Sequence, residues 1–271
     1  MRGAATAHLL GSMRVLFTSW YGFLLMGLLA TPMAAAGPAP LDDALRKVAQ
    51  DRGHWAYTQT DVVMNDKGKV INQAKVRFDP SKPYAEQYVP IEIEQHPPTR
   101  SDFEHYRLQG ERLGKRTEKA ADAGEPPPGQ TLGDLVNVDQ ATVAAEDDTS
   151  ITYDVPLRAD HNHRFPPDKF QVLMKVNKAH RALEHIAVHL RAPLRLILVV
   201  NVKSGELDVD FNAVDPVHNP AMTSVRGDGL LSIFFVSVSR NGTLTRTDFK
   251  HVTPFGERFN VQIGPVKALD F

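Results

Sequence analysis

The sequence predicts an α+β fold: a single strongly curved antiparallel sheet, an open or half-closed β-barrel of about ten to twelve strands, with two helices covering part of its concave face. Three observations carry this expectation. Alternation of apolar and polar residues with period two begins at Trp55 and recurs to the C-terminus. The joins between alternating segments are short and carry turn residues, which favours antiparallel neighbours because parallel strands need long crossovers. Only two segments have helical spacing, too little to cover a sheet this wide, so the sheet either curls on itself or holds an apolar ligand.

Residues 1–36 read as a secretory signal. Arg2 and Arg14 precede an apolar run at 15–29, and "AAA" at 34–36 supplies a cleavage-like site, with Met13 as a second possible start. The run spans about fifteen residues, short of the roughly 20 that a membrane-crossing helix needs. The expected mature chain is therefore residues 37–271, one domain, exported to the periplasm. The absence of Cys excludes a disulfide framework, a thiolate metal site, a Cys nucleophile and an acylated N-terminal Cys. Removing the two signal arginines takes the formal charge from −1 to −3, which gives no basic attraction for nucleic acid or anionic lipid.

The mature chain opens with a short amphipathic helix, "LDDALRKVAQDRG", in which Leu41, Ala44, Leu45 and Val48 share a face. "WAYTQTDVVMN" and "KVINQAKVRF" flank the turn "NDKG" as a hairpin. In "RFDPSKP", Asp79 can accept backbone N–H bonds, Pro80 fixes φ and Pro83 resists continuing the strand, so the chain turns into a further strand, "YAEQYVPIEIE". A second helix covers about residues 100–121, with Phe103, Tyr106 and Leu113 as a narrow apolar stripe, and "DAGEPPPGQ" follows as a surface loop. From residue 131 onward, strand signals recur in "ATVAAEDDTSITYDVPL", "KFQVLMKV", "RALEHIAVHLR", "LRLILVVNV", "ELDVDFNAV", "LLSIFFVSVS", "LTRTDFKHVT" and "RFNVQIG". Turns are expected at "EDDT", "NKAH", "RAP", "KSGE", "RGDG" and "RNGT".

Alternation gives the sheet one apolar face, and the residues expected to bind an apolar ligand there are Trp55, Val172, Met174, Ile186, Val188, Leu196, Leu198, Phe211, Phe234 and Val236. The other face is polar, as at Asp208, Asp210 and Asn212. A plain packed core is the competing account of the apolar set.

The order of a short amphipathic helix, "HWAYTQT", a hairpin, "RFDPSKP" and a long antiparallel meander resembles the periplasmic LolA/LolB-type lipoprotein-carrier superfamily. That resemblance implies an open half-barrel, with helices as a lid over an apolar cavity that receives acyl chains. It covers most of the mature chain as an arrangement of elements.

No catalytic constellation stands out. There is no G-x-S-x-G elbow, no P-loop and no G-x-G-x-x-G. His161 and His163 in "RADHNHRF" are weak metal candidates, with His185 and His189 as neighbours on one strand face; solvated histidines explain them better, and no metal or cofactor is expected. The expectation is a non-enzymatic periplasmic protein that binds or carries a lipid or acyl chain, with at most transient membrane contact. The alternatives are an envelope structural or interaction protein with a packed sheet and an envelope protein partner, and an outer-membrane β-barrel suggested by the terminal "KALDF".

Overall fold

The computed structural model describes residues 38–123, 131–159, 166–197, 200–233 and 236–259. The signal-like segment, His161, His163, Leu198, Phe234 and the final alternating segment from residue 260 onward lie outside these residues. Helix α1 (Ala39–Asp51) leads into β1 (Trp55–Asn65) and β2 (Val70–Phe78), the expected hairpin. Its turn is held by the Asn65 side-chain oxygen, which accepts from the Lys67 and Lys69 amides at 3.0 Å, while Gly68 takes a φ of 72° that an L side chain would resist.

"RFDPSKP" turns as expected. Asp79 Oδ1 accepts from the Ser81 amide at 3.0 Å and from its hydroxyl at 2.6 Å. The chain does not then enter a strand directly. Residues Tyr84–Glu86 form one 3-10 turn, and β3 is confined to Tyr88–Ile93. The buried Gln87 side chain donates to the Lys82 carbonyl at 3.0 Å and so holds this turn against extension.

Helix α2 (Arg100–Asp122) is capped by Thr99 and Asp102, each side chain bonded to the other's amide. A third helix, α3 (Leu132–Leu135), adds to the two expected and precedes the first expected strand segment: Thr131 and Asp134 form a second capping box that starts the helix. The remaining strands are β4 (Thr142–Glu146), β5 (Ser150–Asp154), β6 (Phe170–Asn177), β7 (Ala182–Leu190), β8 (Leu194–Ile197), β9 (Val200–Asn212), β10 (Ala221–Ile233) and β11 (Val236–His251). All pair antiparallel in one eleven-stranded sheet of order β3-β2-β1-β11-β10-β9-β7-β6-β5-β4, with β8 added on β9. The sheet is open, and β3 and β4 are its edges among the described residues.

In the C-terminal half the structure exchanges turns and strands relative to the sequence reading. "KSGE", "RGDG" and "RNGT" are not turns; they lie inside β9, β10 and β11. Gly227 pairs with Leu207 on one side and Gly242 on the other, and Gly229 pairs with Gly205. The chain reverses instead within the apolar runs: Ile197 pairs with Val200, and Ile233 pairs with Val236. Turn propensity is a local preference. Here the register set by the long neighbouring strands, with a glycine opposite a glycine, overrides it.

The core lies where α1 meets β6 and β7. Leu41, Ala44 and Leu45 are buried, and Val48 packs beside them, on the face predicted by their spacing. Each leucine removed from water contributes about 1.5–3 kcal/mol. Beneath them Tyr153, Met174, Ile186 and Val209 form one cross-strand row from β5 to β9. A β-bulge at the β6–β7 pairing lets both Leu183 and Ile186 face this core although they are three residues apart.

Helix α2 packs against the Tyr84–Glu86 turn and β3 by a different device. Phe103, one residue of the expected apolar stripe, is 48% exposed, while Tyr106 and Leu113 are half-buried. Gly110 and Gly114 form the closest approach, with Tyr106 and the buried Ala120 on the same side. A Cβ at Gly110 would overlap the Tyr84 carbonyl; one at Gly114 would overlap the Tyr84 ring. The helix therefore approaches the turn at a distance only glycine permits.

Two outcomes follow. Gly110→Ala is expected to destabilise the protein by about 1–3 kcal/mol in denaturant unfolding, because the overlap with fixed backbone outweighs the gain of at most about 1 kcal/mol in helix propensity. Gly114→Ala is expected to destabilise as well, since its Cβ would lie 2.9 Å from the Tyr84 Cβ, which ring rotation does not move. The second concerns the β4–β5 turn, where Asp147 accepts from the amides and hydroxyls of Thr149 and Ser150, which hold its carboxyl far below the usual carboxylate range. A depressed folded pKa stabilises at pH values above the ordinary carboxylate value and is lost only as pH falls through the folded value. The Asp147 carboxyl carbon should thus titrate well below pH 3.9, about the unperturbed midpoint, when followed by NMR.

Candidate functional site

The residues expected to bind a ligand divide into groups. Val172, Met174, Ile186 and Phe211 are buried in the core against α1. Val188 sits half-buried at the border of that core. Leu196 lies on β8 and Val236 opens β11. Trp55 stands apart from all of these, buried at the start of β1 among histidines.

Next to the core the apolar face continues into a cleft of about 450 Å³. Its apolar wall comes from Leu135 of α3, Leu157, Phe170 at the start of β6, Val188 and Leu190 at the end of β7, and Val202 and Leu207 of β9. Arg158 supplies charge at its margin, and Gly205 leaves room where a side chain would stand. Arg158 is fixed by its Nε donating to the Val136 carbonyl at 2.9 Å. Leu207 is 39% exposed on this face. Another hollow, about 390 Å³, lies between turns and is lined almost wholly by polar residues such as Asp148, Asn177 and Lys178. It lacks an apolar wall.

The opposite face of β7 and β9 is polar, as its alternation requires. His185 bridges two aspartates, with Nδ1 2.8 Å from Asp210 and Nε2 3.1 Å from Asp208, and His189 approaches Glu206 at 3.6 Å. The Ser224 hydroxyl donates to Asp210 at 2.5 Å and, before the contribution of His185, holds that carboxyl below its ordinary value. In the other half of the sheet the Arg246 guanidinium stacks on the Tyr57 ring at 4.1 Å and its Nε donates to Gln59 at 3.0 Å. Burial lowers the Arg246 pKa and raises that of Tyr57, yet the cation has its partners.

A second concentration of chemistry forms where α1, β1, the β9–β10 connection and β11 end together. The His218 and His251 rings stack at 3.7 Å, and His54 stacks on His251 at 5.4 Å. The Trp55 ring meets His218 and His251 edge-on at 5.6 and 5.0 Å. Burial, reinforced by the neighbouring His218, lowers the His251 pKa and favours the neutral imidazole. Asp51, Asp215 and Glu257 surround these rings. Sequence reasoning missed this group because His218 and His251 lie far along the chain from Asp51 and His54; the pairing of β1 with β11 brings His251 to that pair.

Comparison with protein-family models, curated proteins and solved structures finds no match to this chain.

Proposed function

We propose that this protein is a non-enzymatic binding or carrier protein for an apolar ligand, a lipid or lipoprotein acyl chain, working in the periplasm. The observation that carries this reading is the cleft of about 450 Å³ beside the core, apolar along its wall and charged at its margin. Its volume falls in the range of about 300–1,000 Å³ common to small-ligand sites. Each buried CH₂ contributes about 0.8 kcal/mol, so a chain of about a dozen carbons offsets an association cost of several kcal/mol. The Arg158 guanidinium is placed to meet an acidic head group.

The ligand in this reading lies not over the whole apolar face but at its border. Val172, Met174, Ile186 and Phe211 support the site from beneath as packed core, and Val188, Leu190 and Leu207 meet the chain. The glycines at 205, 227, 229 and 242, aligned across β9, β10 and β11, would allow the long strands to bend around it, as the half-barrel of the LolA/LolB-type resemblance implies. An outer-membrane barrel fits less well, since a spanning sheet must close and the sheet of the described residues is open.

The second reading, an interaction protein, is favoured by one observation: edge strand β3 carries Val89 and Ile91, each 44% exposed. Mass spectrometry of the natively purified protein before and after organic extraction separates the two. A stoichiometric acyl lipid lost on extraction, and fluorescent fatty-acid binding weakened at least about tenfold (1.4 kcal/mol) by Leu207→Glu, are expected. A clean ligand-free mass with no probe binding would overturn the carrier reading and leave the edge-strand one.

A further inference from the structure

The geometry points to a site for a divalent transition-metal ion, with Asp51, His54 and His251 as its ligands. One ligand atom from each of the three lies within 4.8 Å of the others. Their frame is built by backbone alone. The His54 amide donates to the Asp51 carbonyl at 3.1 Å, the Val252 amide donates to the His54 carbonyl at 2.8 Å, and Trp55 pairs with His251 across β1 and β11.

Four buried side-chain nitrogens of this cluster, those of His54, His251, Trp55 and His218, lack a hydrogen-bond partner, and the first two bear on a metal site. His54 Nδ1 and His251 Nε2 are buried and have no hydrogen-bond partner. A buried polar atom left unpaired costs roughly 1–3 kcal/mol, so a stack serving only to fill space would be expected to pair them. Both residues belong to the group that includes the Asp51 carboxylate, whose Oδ1 lies 3.9 Å from His251 Nε2. Metal–ligand bonds of about 2.0–2.2 Å require ligand atoms about 3.3 Å apart, a closure of about 0.6 Å for that pair and of at most about 1.5 Å within the group, which side-chain rotation provides.

The outer contacts have the form such a site needs. His54 Nε2 is 3.1 Å from the Glu257 carboxylate, which orients the ring and leaves Nδ1 for the ion. Asp51 Oδ2 accepts from the Asn219 amide at 2.9 Å, which leaves Oδ1 free to bind. Two imidazoles and one carboxylate suit zinc or a neighbouring first-row ion rather than calcium or magnesium. Three protein ligands leave at least one position open, beside the His218 ring and the Asp215 carboxylate.

The test uses the purified protein stripped with a chelator, titrated with zinc(II) in a calorimeter and with cobalt(II) followed by visible absorption. One equivalent is expected to bind, with a cobalt spectrum of nitrogen and oxygen ligation and a rise in the thermal midpoint. Asp51→Asn keeps the size of the side chain and its oxygen acceptor, and is expected to weaken binding at least about tenfold; Glu257→Gln, outside the ligand set, about 10–100-fold. The double substitution His185→Gln with His189→Gln, on the polar sheet face, is expected to leave the affinity unchanged. Circular dichroism of each variant separates loss of a ligand from loss of fold. Absence of binding by the unsubstituted protein would overturn the assignment. So would binding that survives both Asp51→Asn and His54→Gln, or binding lost instead on replacing His161 and His163. None of these outcomes depends on whether the cleft holds a lipid.

Discussion

The structure depends on the antiparallel seam between β1 and β11, which joins Trp55 to His251 and continues through Asn65 and Arg240. Closing a loop of this length costs on the order of 5 kcal/mol in chain entropy. The seam offsets this with an extended ladder of backbone hydrogen bonds, each contributing about 0.5–1.5 kcal/mol net. Without it, β1 to β3 with α2 would be a three-stranded unit with few means of covering its own faces. With it, those strands extend the sheet that α1 and the β6–β7 core already stabilise. The same seam brings His54 and His251 side by side, so the candidate metal site is a direct product of the topology.

The two helices dock by opposite physical means. Helix α1 brings bulk: Leu41 and Leu45 fill the space above Met174 and Ile186 and remove apolar surface from water. Helix α2 brings absence of bulk, and Gly110 and Gly114 let its backbone approach Tyr84. The Tyr84 ring in turn meets Phe255 at 5.8 Å, and the Phe255 amide donates to the Pro80 carbonyl at 2.7 Å. The turn that begins at Asp79 thereby connects α2, the first hairpin and the segment after β11. It is a structural junction as well as a change of direction.

The apolar face is used in two ways that alternation alone does not distinguish. Under α1 it is closed core; beyond the reach of α1, at Val188, Leu190 and Leu207, it borders a cleft. The division falls where α3 ends and the Val136–Leu157 bridge turns the chain away. A four-residue helix started by one capping box therefore sets the edge of the proposed ligand site.

The sequence by itself determined what local periodicity encodes: α1 and its buried face, the first hairpin with its Asn65 turn, the Asp79 turn, the one-sided apolar sheet and the polar placement of His185 and His189. Each of these rests on residues within a few positions of one another, where side-chain spacing and turn chemistry act directly. Only the tertiary structure decided that "KSGE", "RGDG" and "RNGT" run through strands while "LRLILVVNV" and "LLSIFFVSVS" contain the reversals. A glycine suits a tight turn and a crowded or bent strand equally well, and the choice is made by partners that are distant in sequence. The grouping of Asp51 and His54 with His251 was hidden for the same reason: the first two are three residues apart, but only the pairing of β1 with β11 puts His251 within reach of the same ion.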